Sequence, residues 1–162
     1  MAITKSKKAE IVSDLDGRLQ GIKSAVFVNF HKLNVADATA LRRKLREQGV
    51  GYRVAKKTLI KRALGNKQIT GDMPDLTGEV AVAYSDDLIT PAREVYSFQK
   101  DHKDNISIIG GVFDGRYMSQ AEMMTIALIP PIRVLYAQFV NLINSPIQRM
   151  AVVLSQITEK KQ

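Results

Sequence analysis

The stretch from Ile132 to Thr158, IRVLYAQFVNLINSPIQRMAVVLSQIT, constrains the fold of this chain more than any other. It carries two charges, Arg133 and Arg149, in 27 residues. Ile132, Leu135, Phe139, Leu142, Ile143, Met150, Val153 and Ile157 recur at intervals of three and four, the helical period. Val134, Val140, Ile147, Val152 and Leu154 widen the apolar surface to most of the circumference. A helix apolar nearly all round has to be covered by something. It does not read as a bilayer span of about 30 Å, because Gln138, Asn141, Asn144, Ser145 and Pro146 interrupt it. Nor does it read as a membrane-surface helix, which would carry lysines on its polar face.

Two readings remain open for this stretch. Its helices fold back as ordinary core, or they form a partner-binding surface that other chains cover in helix-in-groove fashion. The Pro130–Pro131 pair just before it and the scarcity of charge favour the second. They also predict a boundary, with a globular domain over 1–130 and a helical extension over 131–162. The partner-facing residues are then Ile132, Leu135, Phe139, Leu142, Ile143, Ile147, Met150, Val153, Leu154 and Ile157. Pro146 is expected to kink or divide the helix into 132–145 and 146–158, with Ser145 as an N-cap.

Before the double proline, helical and strand patterns alternate. Ile11, Leu15 and Leu19 predict a helix over 5–20, closed by Gly21. SAVFVNF (24–30) is apolar on both faces and reads as a central strand. Asn34, with Asp37 in the capping-box position, predicts the start of a helix over 35–48 that ends at Gly49. YRV (52–54) is a second strand, and the helix between the two strands is long enough for a right-handed parallel crossover. A short basic helix over 57–64 ends at Gly65 and Asn66. EVAVAYS (79–85) is a third strand, and Thr90 with Pro91 is an N-cap and N1 pair for a helix to about His102. Within ISIIGGVFDGRYM, GGVFDG reads as a bulge and then a tight turn at Asp114–Gly115, returning as a short fifth strand. Ser119 and Glu122 form a capping box for a helix to about Leu128.

Positive charge is concentrated in residues 42–67. Arg42, Arg43, Lys44, Arg46, Arg53, Lys56, Lys57, Lys61, Arg62 and Lys67 face the single acid Glu47, so the block is +9 in a chain that is +8 overall. A soluble face ordinarily mixes signs, because like charges one turn apart repel. A block of one sign implies a polyanionic partner, most commonly a phosphodiester backbone. The first nine of these residues are the candidate phosphate contacts. Tyr52 is the only aromatic in the block, which favours recognition of backbone and shape over stacking of bases.

No pattern argues for catalysis. The chain has no cysteine, so a disulfide, a thiol nucleophile and a Cys metal site are excluded. His31 and His102 stand far apart, no HExxH, Ser/His/Asp or phosphate-loop spacing occurs, and Asp86–Asp87 reads as a helix cap. The expectation is a protein without cofactor, metal or small-molecule substrate. The N-terminal lysines lack an apolar h-region, so a soluble intracellular protein is expected.

The run FHKLNVADATALRRKLREQGVGYRVAKKTLIKRAL resembles the signature of the bacterial family of large-subunit ribosomal protein ten, the stalk-base proteins. The resemblance continues through LTGEVAVAYS, GGVFDG and the proline-marked last helix, and covers essentially the whole chain. It implies an α+β fold, a mixed sheet packed with helices and related to ferredoxin-like folds, followed by the long helical extension. It implies a non-catalytic ribosomal scaffold that binds large-subunit ribosomal RNA at the GTPase-associated centre. Acidic stalk-protein dimers sit on the last helix, about one per segment and hence two here, and recruit translational GTPases. A neighbouring stalk-base ribosomal protein and a cytoplasmic ribosome complete the setting. The family's basic positions fall on Arg42, Arg43, Arg46, Arg53, Lys56, Lys57, Lys61 and Arg62. The chain departs from the family at Lys57, where Asn is usual, at Glu79, where Pro is usual, and in a final helix poorer in Ala, Glu and Lys. The other reading is a nucleic-acid-binding regulator that dimerises through its C-terminal helices.

Overall fold

The computed structural model describes residues 4–65, 69–102 and 105–160. Asn66 and Lys67, read above as a helix stop and as part of the basic block, lie outside the described residues. The chain divides into two compact units, Met1–Ile129 and Pro130–Gln162.

The first unit is built on a five-stranded antiparallel sheet. Its strands are β1 (Ser24–Phe30), β2 (Gly51–Val54), β3 (Val80–Ser85), β4 (Ile106–Phe113) and β5 (Arg116–Ser119), in the order β2-β3-β1-β4-β5. Five helices accompany it: α1 (Lys5–Leu19), α2 (Val35–Glu47), α3 (Lys57–Gly65), α4 (Thr90–Asp101) and α5 (Gln120–Ala127). This is the α+β arrangement of sheet and helices that the family resemblance implies, with the sheet antiparallel throughout. β1 is central because both its faces are apolar, and alternation sends them to two different cores. Val26 and Val28 pack with Leu41 and Leu45 of α2, Val95 and Phe98 of α4 and Met123 of α5. Ala25 and Phe27 pack with Leu15 and Leu19 of α1 and Ile60 and Ala63 of α3.

The expected parallel pairing of β1 with β2 does not form. β3 lies between them and is antiparallel to both. β1 and β2 therefore run in the same direction with one strand between them, a split β-α-β unit around α2. The reason is burial. Val80, Ala81, Val82 and Ala83 of β3 are all buried, so that strand needs neighbours on both sides. β2 has four residues and an exposed Arg53, which suits an edge.

Local signals settle the ends of several elements. Asp114 (φ +48°) and Gly115 (φ +76°) are both left-handed, as a type I′ hairpin turn requires. The Ser119–Glu122 capping box forms, with the Ser119 amide donating to Glu122 Oε2 at 2.8 Å and the Glu122 amide donating to Ser119 Oγ at 3.5 Å. The Ser119 amide and hydroxyl hold the Glu122 carboxyl below its ordinary pKa. Asn34 makes no side-chain cap, and Asp37 faces His102 at 3.7 Å instead of completing a box. Thr90 is the first residue inside α4, not its N-cap. The Thr90 hydroxyl donates to Asp87, which also accepts from the Ile89 amide at 3.5 Å. These bonds, the Thr90 one foremost, lower the Asp87 pKa, so this acid serves as the helix-start acceptor.

The bulge expected within GGVFDG falls one residue earlier: β1 pairs with β4 at Phe27–Gly110 and then at Val28–Ile108, which leaves Ile109 as the extra residue. Gly111 lies against β1 so closely that a Cβ there would fall 2.5 Å from the Ala25 carbonyl oxygen and 2.9 Å from Met123 Cε. Gly111→Ala should therefore lower the free energy of unfolding in urea by about 1–3 kcal/mol, the usual range for overpacking. A variant as stable as the parent would show that β1 and β4 can separate freely at this point.

The second unit is α6 (Ile132–Lys160), 29 residues or about 43 Å long. The predicted division at Pro146 does not occur, because the helix runs through it. Proline removes the amide that would bond the carbonyl four residues back, at Leu142. The Ser145 hydroxyl donates to that same carbonyl at 3.0 Å. Ser145 is therefore a mid-helix replacement donor, not an N-cap. The large apolar side chains of α6 are exposed, from 40% at Leu135 to 70% at Leu142 and Ile147. Among the described residues, no single helix is long and apolar enough to cross a membrane.

Candidate nucleic-acid interface

Three consecutive elements each bury an apolar stripe and leave cations outside. α2 buries Leu41 and Leu45 and exposes Arg42, Arg43 and Arg46. β2 exposes Arg53, and α3 buries Leu59, Ile60 and Ala63 while Lys57, Lys61 and Arg62 stay outside with Lys56 just before them.

Four of these cations share one groove of about 1080 Å³: Arg42, Arg53, Lys56 and Lys57. Phe30, Tyr52 and Val54 line it with them, and Glu79 is the one carboxylate in its wall. Arg43, Arg46, Lys61 and Arg62 are exposed but do not line it. Lys44 points elsewhere. Its ammonium donates to Ser97 Oγ at 3.0 Å and lies 3.7 Å from Glu94, both on α4.

Ion pairs divide the block further. Arg43 pairs with Glu47 one turn away at 3.1 Å, with both side chains largely exposed, so the pair is weak. Arg53 Nη2 lies 3.1 Å from Asp14 on α1, which also accepts from Arg18 Nε at 2.8 Å. The Arg18 hydrogen bond holds the Asp14 carboxyl below its ordinary pKa. The sequence reading missed Asp14. The only local trace of it was the Asp14–Arg18 spacing of four. Among the described residues, Arg42, Arg46, Lys56, Lys57, Lys61 and Arg62 pair with no carboxylate.

The start of α3 bears a cost that its own lysines impose. The Lys56 carbonyl accepts from the amides of Leu59 and Ile60, at 2.8 and 3.1 Å, so Lys56 and Lys57 stand at the positive end of the helix, whose first turn has no acid. A cation there opposes the macrodipole by about 0.3–1 kcal/mol.

Burial pushes the Tyr52 phenol pKa up, partly offset by the nearby Arg42. The histidines lie outside the groove: His31 is exposed, and the His102 ring stacks on Phe98 with centroids 4.3 Å apart. Among the described residues, no group of three or more His, Asp or Glu side chains could hold a metal ion.

On α6, the predicted partner-facing residues fall into two groups. Ile132, Leu135, Phe139, Leu142 and Ile143 precede Ser145–Pro146, and Ile147, Met150, Val153, Leu154 and Ile157 follow it. All ten are exposed.

Residues 3–100 match the family model described as ribosomal protein L10. The large ribosomal subunit protein uL10 of Oceanobacillus iheyensis is 32% identical over 157 residues, covering 96% of this chain and 94% of its own length. That of Shouchella clausii is 33% identical over 157 residues, with 96% and 94% covered. That of Dehalococcoides mccartyi is 36% identical over 150 residues, with 92% and 85% covered.

Proposed function

Because the chain belongs to the ribosomal protein L10 family, whose members are structural, non-enzymatic components of the ribosome, we propose that it works as a two-part anchor at the base of the ribosomal stalk. The unit before the double proline binds large-subunit ribosomal RNA. The helix after it holds acidic stalk-protein dimers, which recruit translational GTPases.

The observation that carries the RNA half is the groove. Arg42 from α2, Arg53 from β2, and Lys56 and Lys57 from the start of α3 converge there with one carboxylate among them. Arginine forks suit bidentate phosphate contacts. Arg43, Arg46, Lys61 and Arg62 add positive charge on the same two helices and extend the RNA-facing set. Lys44 supports that set only indirectly, through contacts to α4 that fix the position of α2. For the stalk half, the supporting observation is the row of exposed apolar residues on α6, which water disfavours and a helical partner would cover. A neighbouring ribosomal protein at the stalk base completes the partner set.

Native mass spectrometry of the chain mixed with a stalk-base rRNA fragment and the acidic stalk protein tests the whole. The expected species holds one chain, one RNA and two stalk dimers. A stable homodimer of the chain that excludes the stalk protein would overturn the anchor in favour of a dimeric nucleic-acid-binding regulator.

A further inference from the structure

The basic groove is not only a charged surface. Phe30 and Tyr52 are half-buried, Leu59 and Val80 are buried, and Val54 is 44% exposed, so its floor is apolar while the four cations stand outside. Phe30 comes from β1, outside the basic block. With Tyr52 it packs against the core on the α2 and α4 side of the sheet. β2, which supplies Tyr52 and Val54, is an edge strand. At about 1080 Å³ the groove is slightly larger than the ligand-sized range of roughly 300–1,000 Å³.

We propose that this groove receives unpaired nucleotides splayed out of folded RNA, with their bases on the Phe30–Tyr52–Val54 floor and their phosphates on Arg42, Lys56 and Lys57, while Arg53 stays paired with Asp14. The inference rests on the RNA-anchoring reading and deepens it. A duplex presents phosphates and sugar edges with its bases stacked inside, so it can satisfy the cations but not the apolar floor. An unstacked base has an apolar face and an attached anion, which matches both halves of the site. Charge decides against an extended peptide added along β2: with Arg53 paired to Asp14, Arg42, Lys56 and Lys57 still outnumber Glu79 and select an anion, and an ordinary peptide backbone is neutral.

The test uses the full chain and two RNA probes of equal length, one a stem with an unpaired internal loop and the other the fully paired stem. Equilibrium binding of both is measured by fluorescence anisotropy. The looped stem is expected to bind at least about tenfold tighter, the value of a base stack or more. Tyr52→Leu, which keeps apolar bulk but removes the stacking plane, should lose most of that preference. Tyr52→Phe should keep the preference, which separates stacking from folding. Equal affinity of the parent chain for the two stems overturns the proposal and leaves RNA anchoring through the phosphates standing. Binding of neither stem refutes the RNA reading itself and the proposal with it.

Discussion

Replacing Arg42 and Lys57 together by glutamate is expected to weaken binding to the stalk-base rRNA at least about a hundredfold, with the fold intact. Both side chains are exposed, line the groove, and have no carboxylate partner among the described residues. Removing them therefore leaves no buried charge behind, and Lys57→Glu places an acid at the start of α3, where it gains about 0.3–1 kcal/mol from the helix dipole. Urea unfolding should accordingly show a midpoint no lower than that of the parent. Hydrogen bonds to charged groups contribute about 1.5–3 kcal/mol each, so removing two of them already gives a hundredfold. The slope of log affinity against log salt should become shallower by about 0.7–0.9 for each phosphate that the variant no longer neutralises. Arg43→Ala should do much less, because Arg43 lies outside the groove and pairs with Glu47. An affinity for the double variant within threefold of the parent would refute the anchor role of the groove.

What was legible in the sequence was what depends on near neighbours. The Ser119–Glu122 box and the Asp114–Gly115 turn are each specified within a few residues, and each forms; the bulge before the turn forms one residue earlier than GGVFDG suggests. The central place of β1 was legible too, because a strand apolar on both faces can sit nowhere else. What failed depended on partners distant in sequence. Nothing in YRV or SAVFVNF says that β3 comes between them, since that choice rests on comparing the burial demands of three strands at once. Asn34 is a good cap by residue type, yet it makes no cap bond, and Asp37 lies opposite His102. The site shows the same division. The block's charge was visible as composition, but the Asp14 that draws off Arg53 and the Phe30 that joins Tyr52 come from α1 and β1. Pro146 misled for a chemical reason: the rule that proline ends a helix assumes that the stranded carbonyl finds no donor, and Ser145 supplies one.

That repair at Pro146 shapes the second large effect, on stalk binding. Because α6 is continuous, its two apolar groups lie on one helix of about 43 Å along its path, not on two separate helices. The groups still occupy different turns, so Phe139→Asp with Leu142→Asp should remove one stalk dimer and leave the other. Met150→Asp with Val153→Asp should do the same for the second group, and the four substitutions together should abolish stalk binding. Each introduces a charge at an exposed apolar position, from 52% at Val153 to 70% at Leu142, so the free chain loses little. In the complex the same charges would be buried unpaired, and a charge taken out of water without a partner costs several kcal/mol. Native mass spectrometry reads the outcome as four stalk chains in the parent, two in each half variant and none in the combined one. Binding of the rRNA fragment should be unchanged throughout, because no cation of the groove is touched. Loss of all four stalk chains from either half variant would instead mean that the dimers bind cooperatively along the helix. Retention of four in the combined variant would remove α6 from the stalk interface altogether.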